Sequence, residues 1–138
     1  MSGASNYIEN AFLSALLREA AFQSPTDIYV GLHTAEPDDD GSNECNSGNW
    51  PSYVRRDVSA GGSLSAAWSA PSDGVSTNTQ SLIFPVFDGS SITITHFSLW
   101  DAATGGNLLC KGPLSESLEV LPGRLFVVDP GRITVTLA

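Results

Sequence analysis

The strongest constraint on the fold is the period of two in the apolar residues that follow Pro25. Ile28, Val30 and Leu32 alternate with Tyr, Gly and His, which is the pattern of a half-buried strand. Similar short runs recur down the chain, separated by turn-forming residues, at 53–58, 82–84, 92–99, 108–111, 118–120, 125–127 and 133–137. Seven to nine short strands joined by turns predict a mainly β fold, an antiparallel β-sandwich over about residues 26–138.

One strand changes phase along its length. Ile92 and Ile94 fall on one face, whereas Phe97 and Leu99 fall on the other. A β-bulge shifts side chains in this way, because it inserts one extra residue into one strand of a pair. The sequence therefore predicts a bulge near residues 95–96.

The segment before Pro25 predicts one amphipathic helix over about residues 5–20. Ser5 is a suitable N-cap, and Ile8, Phe12, Leu16 and Ala20 recur every four residues to form an apolar stripe. The polar side lacks the Lys and Arg residues of a helix that lies on a membrane. We expect the stripe to dock on the protein's own sheet or on a neighbouring subunit.

Size and charge exclude several classes of function. With 138 residues, the chain is expected to form a single domain over 1–138. Fifteen acidic and six basic residues give a net charge of −9, which argues against a nucleic-acid partner. No apolar run approaches the roughly 20 residues that span a bilayer, and the N-terminus lacks the pattern of a signal peptide. We therefore expect no membrane association, synthesis in a reducing cytoplasm, and reduced thiols at Cys45 and Cys110.

The densest cluster of carboxylates lies at residues 36–44. Asp38 and Asp40 could contribute oxygen ligands to Ca²⁺, but the EF-hand pattern fails, because Asn43 stands where that loop needs Gly. A solvated loop is the favoured interpretation, with no cofactor. A calcium site at Asp38 and Asp40, or a basic partner, is the alternative.

No enzyme motif surrounds the two histidines, His33 and His96. Each falls in a predicted strand, so we expect packing or hydrogen-bonding roles and no catalytic or metal-binding residue. A Ser-His-Asp triad has no fixed spacing, so the sequence alone leaves that arrangement open. Gly105-Gly106 is expected to form a hairpin turn rather than a phosphate-binding loop.

Four residues are candidates for protein contacts: Phe12, Leu16, Trp50 and Tyr53. Trp50 lies beside a polar loop, where it could be exposed for a subunit contact, form part of the core, or serve as a sugar-binding platform. Large aromatic side chains are common at protein contacts. Trp100, in a predicted strand, is expected in the core.

Three blocks of sequence, at residues 5–11 (SNYIENA), 28–37 (IYVGLHTAEP) and 95–109 (THFSLWDAATGGNLL), resemble a family of small bacteriophage virion proteins. Members are commonly labelled phage tail fibre proteins, and similar chains serve as capsid cement or decoration proteins. The resemblance runs from about residue 5 to residue 137, although residues 38–50 have no counterpart. It implies a non-enzymatic structural protein of the virion.

The place within the virion has two interpretations. A fibre shaft needs repeats or heptads, which this chain lacks, so capsid decoration is favoured over a tail fibre, fibre-adaptor or baseplate component. The implied partners are the major capsid protein or other virion proteins, together with further copies of the chain. The resemblance to decoration proteins implies a trimer. A small carbohydrate-binding or hydrolase module is the third alternative.

Overall fold

The computed structural model of the chain describes residues 3–137. It is mainly antiparallel β with one N-terminal helix, which confirms the predicted fold class. The elements are β1 (Gly3–Ala4), α1 (Asn6–Leu17), β2 (Tyr29–His33), β3 (Arg56–Asp57), α2 (Leu64–Ala67), β4 (Val75–Thr77), β5 (Leu82–Ile83), β6 (Ile92–Trp100), β7 (Leu108–Val120), β8 (Val127–Val128) and β9 (Thr134–Thr136). The single helical turn of α2 was not predicted. Within the described residues, no helix is long and apolar enough to cross a membrane.

The largest sheet has five antiparallel strands in the order β1-β7-β6-β2-β3. Its centre is the long hairpin of β6 and β7, and the predicted turn over 101–107 joins them. The register shifts between Ile94 and His96, which confirms the predicted bulge. Pro113 lies opposite His96 and has no N–H to donate to the ladder.

Two small sheets, β4 with β9 and β5 with β8, complete the fold. Backbone bonds tie them to the rest, as where Ser115 N in β7 donates to Arg132 O at 3.2 Å. Buried side chains from the large sheet and from the β5–β8 region form one hydrophobic cluster, which includes Val30, Leu32, Ile94, Phe97, Leu82, Phe84, Val128 and Ile133. A shared core between sheets is the arrangement of a sandwich.

Several predicted boundaries differ from the observed ones. Helix α1 ends at Leu17 rather than Ala20, because Glu19 adopts a left-handed backbone with φ of 57°. The two predicted strands at 108–111 and 118–120 are one strand of 13 residues. The predicted strand over 53–58 is reduced to β3, since its first half turns away to place Tyr53 and Arg55 in side-chain contacts described below.

Of the three alternatives for Trp50, the core position is observed, and exposure for a subunit contact or a sugar platform is wrong. Its side chain is fully buried, with its ring centroid 5.2 Å from that of Phe87, 5.5 Å from Tyr53 and 6.1 Å from Phe126. The turn that carries it is closed by Trp50 N donating to Asn46 O at 2.8 Å. That turn leaves its polar residues at the surface and directs the indole into the core. Trp100 is buried, as predicted.

Candidate protein interface

Helix α1 is anchored to the body of the protein only at its beginning. Ser5 N donates to Leu109 O at 2.9 Å, and the Ser5 hydroxyl caps the helix by accepting from Ile8 N at 3.4 Å. Ile8 is the only fully buried residue of α1. Because the neighbouring edge strand β1 has just two residues, the sheet offers little surface for the rest of the helix.

Beyond this anchor, the helix presents large apolar side chains to solvent. We call them the arm face: Phe12 is 40% exposed, Leu13 54%, Leu16 79% and Leu17 71%. Residues 12–24 are termed the arm, and every residue from 16 to 24 is exposed. Of the predicted stripe, only Ile8 packs on the protein's own sheet. Phe12 and Leu16, two of the predicted contact residues, remain at the surface.

The arm also makes an aromatic contact within itself. Phe22 lies after the helix and packs on Phe12, with ring centroids 4.9 Å apart. This contact folds the chain back along the helix instead of covering the arm face from the body. Contiguous exposed apolar surface of this kind marks sites of protein contact.

A second cluster, polar and enclosed, surrounds Arg55. Its guanidinium binds both carboxylate oxygens of Glu44, with Nε to Oε1 at 2.8 Å and Nη2 to Oε2 at 2.9 Å. Arg55 Nη1 also donates to Ala102 O and Gly105 O, and the guanidinium lies 3.8 Å from the Trp100 ring centroid. The bidentate pair therefore ties the acidic loop to the turn between β6 and β7.

Tyr53 also belongs to this cluster, through hydrogen bonds of its hydroxyl. Its hydroxyl donates to Glu44 Oε1 and accepts from Leu32 N, each at 2.9 Å. Burial, and then the charge of Glu44, raises the pKa of Tyr53 far above its usual range. A Cβ on Gly31 would approach Glu44 Oε1 to 2.8 Å, so only glycine fits beneath the carboxylate. Tyr53, a predicted contact residue, is thus engaged within the chain.

Sequence reasoning missed the pairing of Glu44 with Arg55. The only local signal was the alternation that puts Tyr53 and Arg55 on one side of their segment. Glu44 stood as one carboxylate among five between residues 36 and 44. Nothing in that run distinguishes the acid that is held in the body from those that remain in solvent.

His33 and Ser98 form a buried hydrogen-bonded pair. His33 Nδ1 lies 2.8 Å from the carbonyl of Ser42, which can only accept, so Nδ1 carries the proton and Nε2 accepts from Ser98 Oγ at 2.6 Å. Ser98 Oγ in turn accepts from Trp100 Nε1 at 2.7 Å. Burial lowers the pKa of His33, outweighing the opposing effects of Ser42 and Glu44. Both side chains are fully buried, so the pair has the hydrogen-bonding role predicted for His33 and offers no nucleophile to a substrate.

The remaining candidates make local contacts. Asp40 accepts from Ser42 N at 3.0 Å, and Asp38 N donates to the Ser42 hydroxyl at 3.2 Å, so these residues close a turn. In the described part of the chain, no group of three or more His, Cys, Asp or Glu side chains is arranged to hold a metal ion. Cys45 and Cys110 carry free thiols, and burial raises their pKa values to about 12 and about 11.

Comparison with known proteins shows which family the chain belongs to. The family model described as podophage GP4 fiber I protein gp80 matches residues 3–136. The comparison with curated proteins gives no match. The matched range covers nearly all of the sequence, including α1, the arm and every strand. The chain therefore belongs to the podophage GP4 fiber I protein gp80 family, a family of phage fibre proteins of the virion.

Proposed function

We propose that the protein is a structural subunit of a phage tail fibre that joins its neighbours in the virion through the arm face. The observation that carries the proposal is the exposure of Phe12, Leu13, Leu16 and Leu17 on a helix held only at its first turn. Membership of a fibre family supports association with other virion proteins and favours the tail as the location.

Helix α1 lacks the packing that stabilises most helices in proteins. An isolated helix of 12 residues is marginal in water, and most helices in proteins are stabilised by packing one apolar side on a partner. Here the residues that would pack after Ile8 face solvent. A neighbouring subunit that covers the arm face supplies the missing packing and removes the apolar surface from water.

Capsid decoration is the second candidate. It is favoured by the absence, within residues 3–137, of the long helices or repeated units that a fibre shaft needs to extend. The chain would then coat the head shell in many copies. A trimer is the stoichiometry that the resemblance to decoration proteins implies for that location.

We infer that the protein has no hydrolase activity of its own. His33 is enclosed with Ser98, and His96 bonds the hydroxyl of its neighbour Thr95 at 2.7 Å. A double His33→Ala, His96→Ala variant that kept its fold but lost a measured turnover would overturn this inference.

The location is tested by cryo-electron microscopy of purified particles, combined with quantitative mass spectrometry of the virion. A fibre subunit is expected as density at the tail and in a small number of copies per particle. Density on the capsid lattice with hundreds of copies would reject the fibre proposal in favour of decoration. Particles made with a Leu16→Lys allele should lack the subunit, and a Val54→Lys allele, at another exposed apolar residue, should retain it.

A further inference from the structure

A second apolar surface lies on the body of the protein, well away from the arm. Ile83 is 56% exposed, Val86 51%, Leu121 43% and Leu125 54%. We call these four residues the strand patch. Together with the arm face, the strand patch accounts for eight of the exposed large apolar side chains of the chain.

Backbone hydrogen bonds hold the strand patch together. The β5–β8 pairing continues beyond the strands, with Phe84 N donating to Phe126 O and Phe87 N donating to Arg124 O, each at 2.9 Å. Phe84, Phe87 and Phe126 point into the core and are fully or almost fully buried. Their neighbours in sequence Ile83, Val86 and Leu125 are therefore left on the outer side of a well-fixed segment, and Leu121 follows the buried Val120 at the end of β7.

Within one copy, the arm and the strand patch do not meet. Helix α1, which leads into the arm, leaves the body at Ser5, which bonds Leu109 near the start of β7, whereas Leu121 follows the end of β7. A strand of 13 residues extends roughly 40 Å. Helix α1, with 12 residues, is only about 18 Å long. The exposed state of both surfaces agrees with this separation.

One charge beside each surface is complementary to the other. Glu9 lies one turn before Phe12 and Leu13 and so borders the arm face, whereas within the arm itself Arg18 and Glu19 cancel. The strand-patch segments, 82–87 and 121–126, contain Arg124 as their one charged residue. Among the described residues, Arg124 takes part in no ion pair. In a chain of net charge −9, Arg124 is therefore a complementary partner for Glu9 of a second copy.

The two surfaces offer similar apolar areas. The arm presents five exposed large apolar residues, which are Phe12, Leu13, Leu16, Leu17 and Phe22, and the strand patch presents four. At on the order of 100 Å² each, since a whole aromatic side chain buries about 150–250 Å², the arm supplies roughly 500 Å² and the patch roughly 400 Å². A standard interface buries about 800 Å² per partner, so flanking polar atoms supply the remainder.

We propose that the arm of one copy binds the strand patch of a second copy of this chain, giving head-to-tail association. The contact joins two different surfaces, so each copy can both donate an arm and receive one. Such a contact closes into a ring when the rotation between copies permits, and otherwise propagates. The inference rests on the proposed function for the role of the arm face, and it names the occupant of that face.

The experiment uses the purified full chain and two variants, each blocked at one surface. Leu16→Lys removes the arm contact and Leu125→Lys removes the patch contact, while Val54→Lys is the matched control. In sedimentation-velocity ultracentrifugation, wild type and control are expected to associate as concentration rises, and each blocked variant is expected to remain monomeric. Mixing the two blocked variants should give a 1:1 dimer and nothing larger, because one working arm and one working patch remain.

Several results would overturn the inference. If Leu125→Lys associates as wild type does, the arms meet one another or another surface. If wild type is monomeric up to hundreds of micromolar, the arm binds a different virion protein; the proposed function would still stand if the Leu16→Lys particles lack the subunit. A charge exchange sharpens the test, since Glu9→Arg and Arg124→Glu should each weaken association about two- to fivefold, and the double variant should restore it.

Discussion

Two regions of the molecule collect large apolar side chains, and their surroundings are opposite. Around Trp50, the rings of Tyr53, Phe84, Phe87 and Phe126 enclose the indole within 5.2–6.2 Å. Along the arm, Leu16 and its neighbours contact mainly water. The first region comes from residues distant in sequence that meet in the core. The second is a local helix that has no such partners within the chain.

The buried aromatic cluster is expected to determine the stability of the single chain, and the exposed arm face its association with other molecules. Side chains in the aromatic cluster are already removed from water when the single chain folds, so their substitution should change the free energy of unfolding. The arm face gains packing only when another molecule covers it, so its substitution should change association and leave unfolding of the single chain nearly unaltered. The following predictions test this division.

The largest effect on stability is expected for Trp50→Ala. Removing a fully buried aromatic side chain leaves a cavity between four rings and should lower the free energy of unfolding by about 3–5 kcal/mol. Chemical denaturation followed by circular dichroism measures the change. Leu16→Ala is the matched control and should cost less than about 0.5 kcal/mol. Similar losses for both variants would contradict the division.

The polar cluster provides a second and somewhat smaller contrast. Arg55→Met leaves Glu44 enclosed without its partner, and the two side chains are only 9% and 18% exposed, so we expect a loss of about 2–4 kcal/mol. Arg132→Met breaks the other ion pair, with Glu116, whose side chains are 35% and 62% exposed. That variant should cost less than about 1 kcal/mol. Equal losses for the two variants would show that the enclosure of Arg55 adds nothing to the stability of its ion pair.

The sequence predicted the parts of the fold that depend on neighbours along the chain. The period of two, the four-residue stripe, the Ser5 cap and the bulge near His96 are each properties of a short segment, and each is present. Strand lengths were less predictable. Whether 108–111 and 118–120 form one strand depends on the partner β6, which the residues between them do not reveal.

The candidate site divides in the same way. Phe12 and Leu16 were predicted as contact residues from the stripe, and their role in contacts stays a prediction, although their exposure is now established. The sequence left Trp50 between the surface and the core, because its neighbours are polar and its burial depends on Phe84 and Phe126, far along the chain. The strand patch was not predicted, because alternation alone does not say which face of a short strand is covered.

Acid is expected to lower the free energy of unfolding through protonation of His33, which bonds Ser42 of the acidic loop and Ser98 of β6. Burial keeps the pKa of His33 below its ordinary value, so the unfolded chain binds a proton near pH 6.5 before the folded chain does. The contribution of His33 is therefore complete above about pH 6.5 and is lost as the pH falls, by at most about 1.4 kcal/mol per pH unit.

This pH dependence is measured by denaturation between pH 7.5 and pH 5. His96 also has a pKa lowered by burial, so the His96→Gln variant is needed to isolate the slope that belongs to His33. Nuclear magnetic resonance of the ring protons gives an independent readout. A His33 ring that titrates at or above pH 6.5 in the folded chain would contradict the prediction.

The smallest effect on stability is expected for Leu16→Lys. Leu16 is 79% exposed, lysine is a good helix former, and a positive charge in the last turn of α1 interacts favourably with the helix dipole. The free energy of unfolding of the monomer should change by less than about 0.5 kcal/mol. Ile8→Lys, on the same helix, is the contrasting variant, because it places a charge in the core and should unfold the region around β1. Denaturation at concentrations below the association range measures both. A large loss for Leu16→Lys would mean that the arm face is packed within the single chain, and would remove the physical basis for assigning it to assembly.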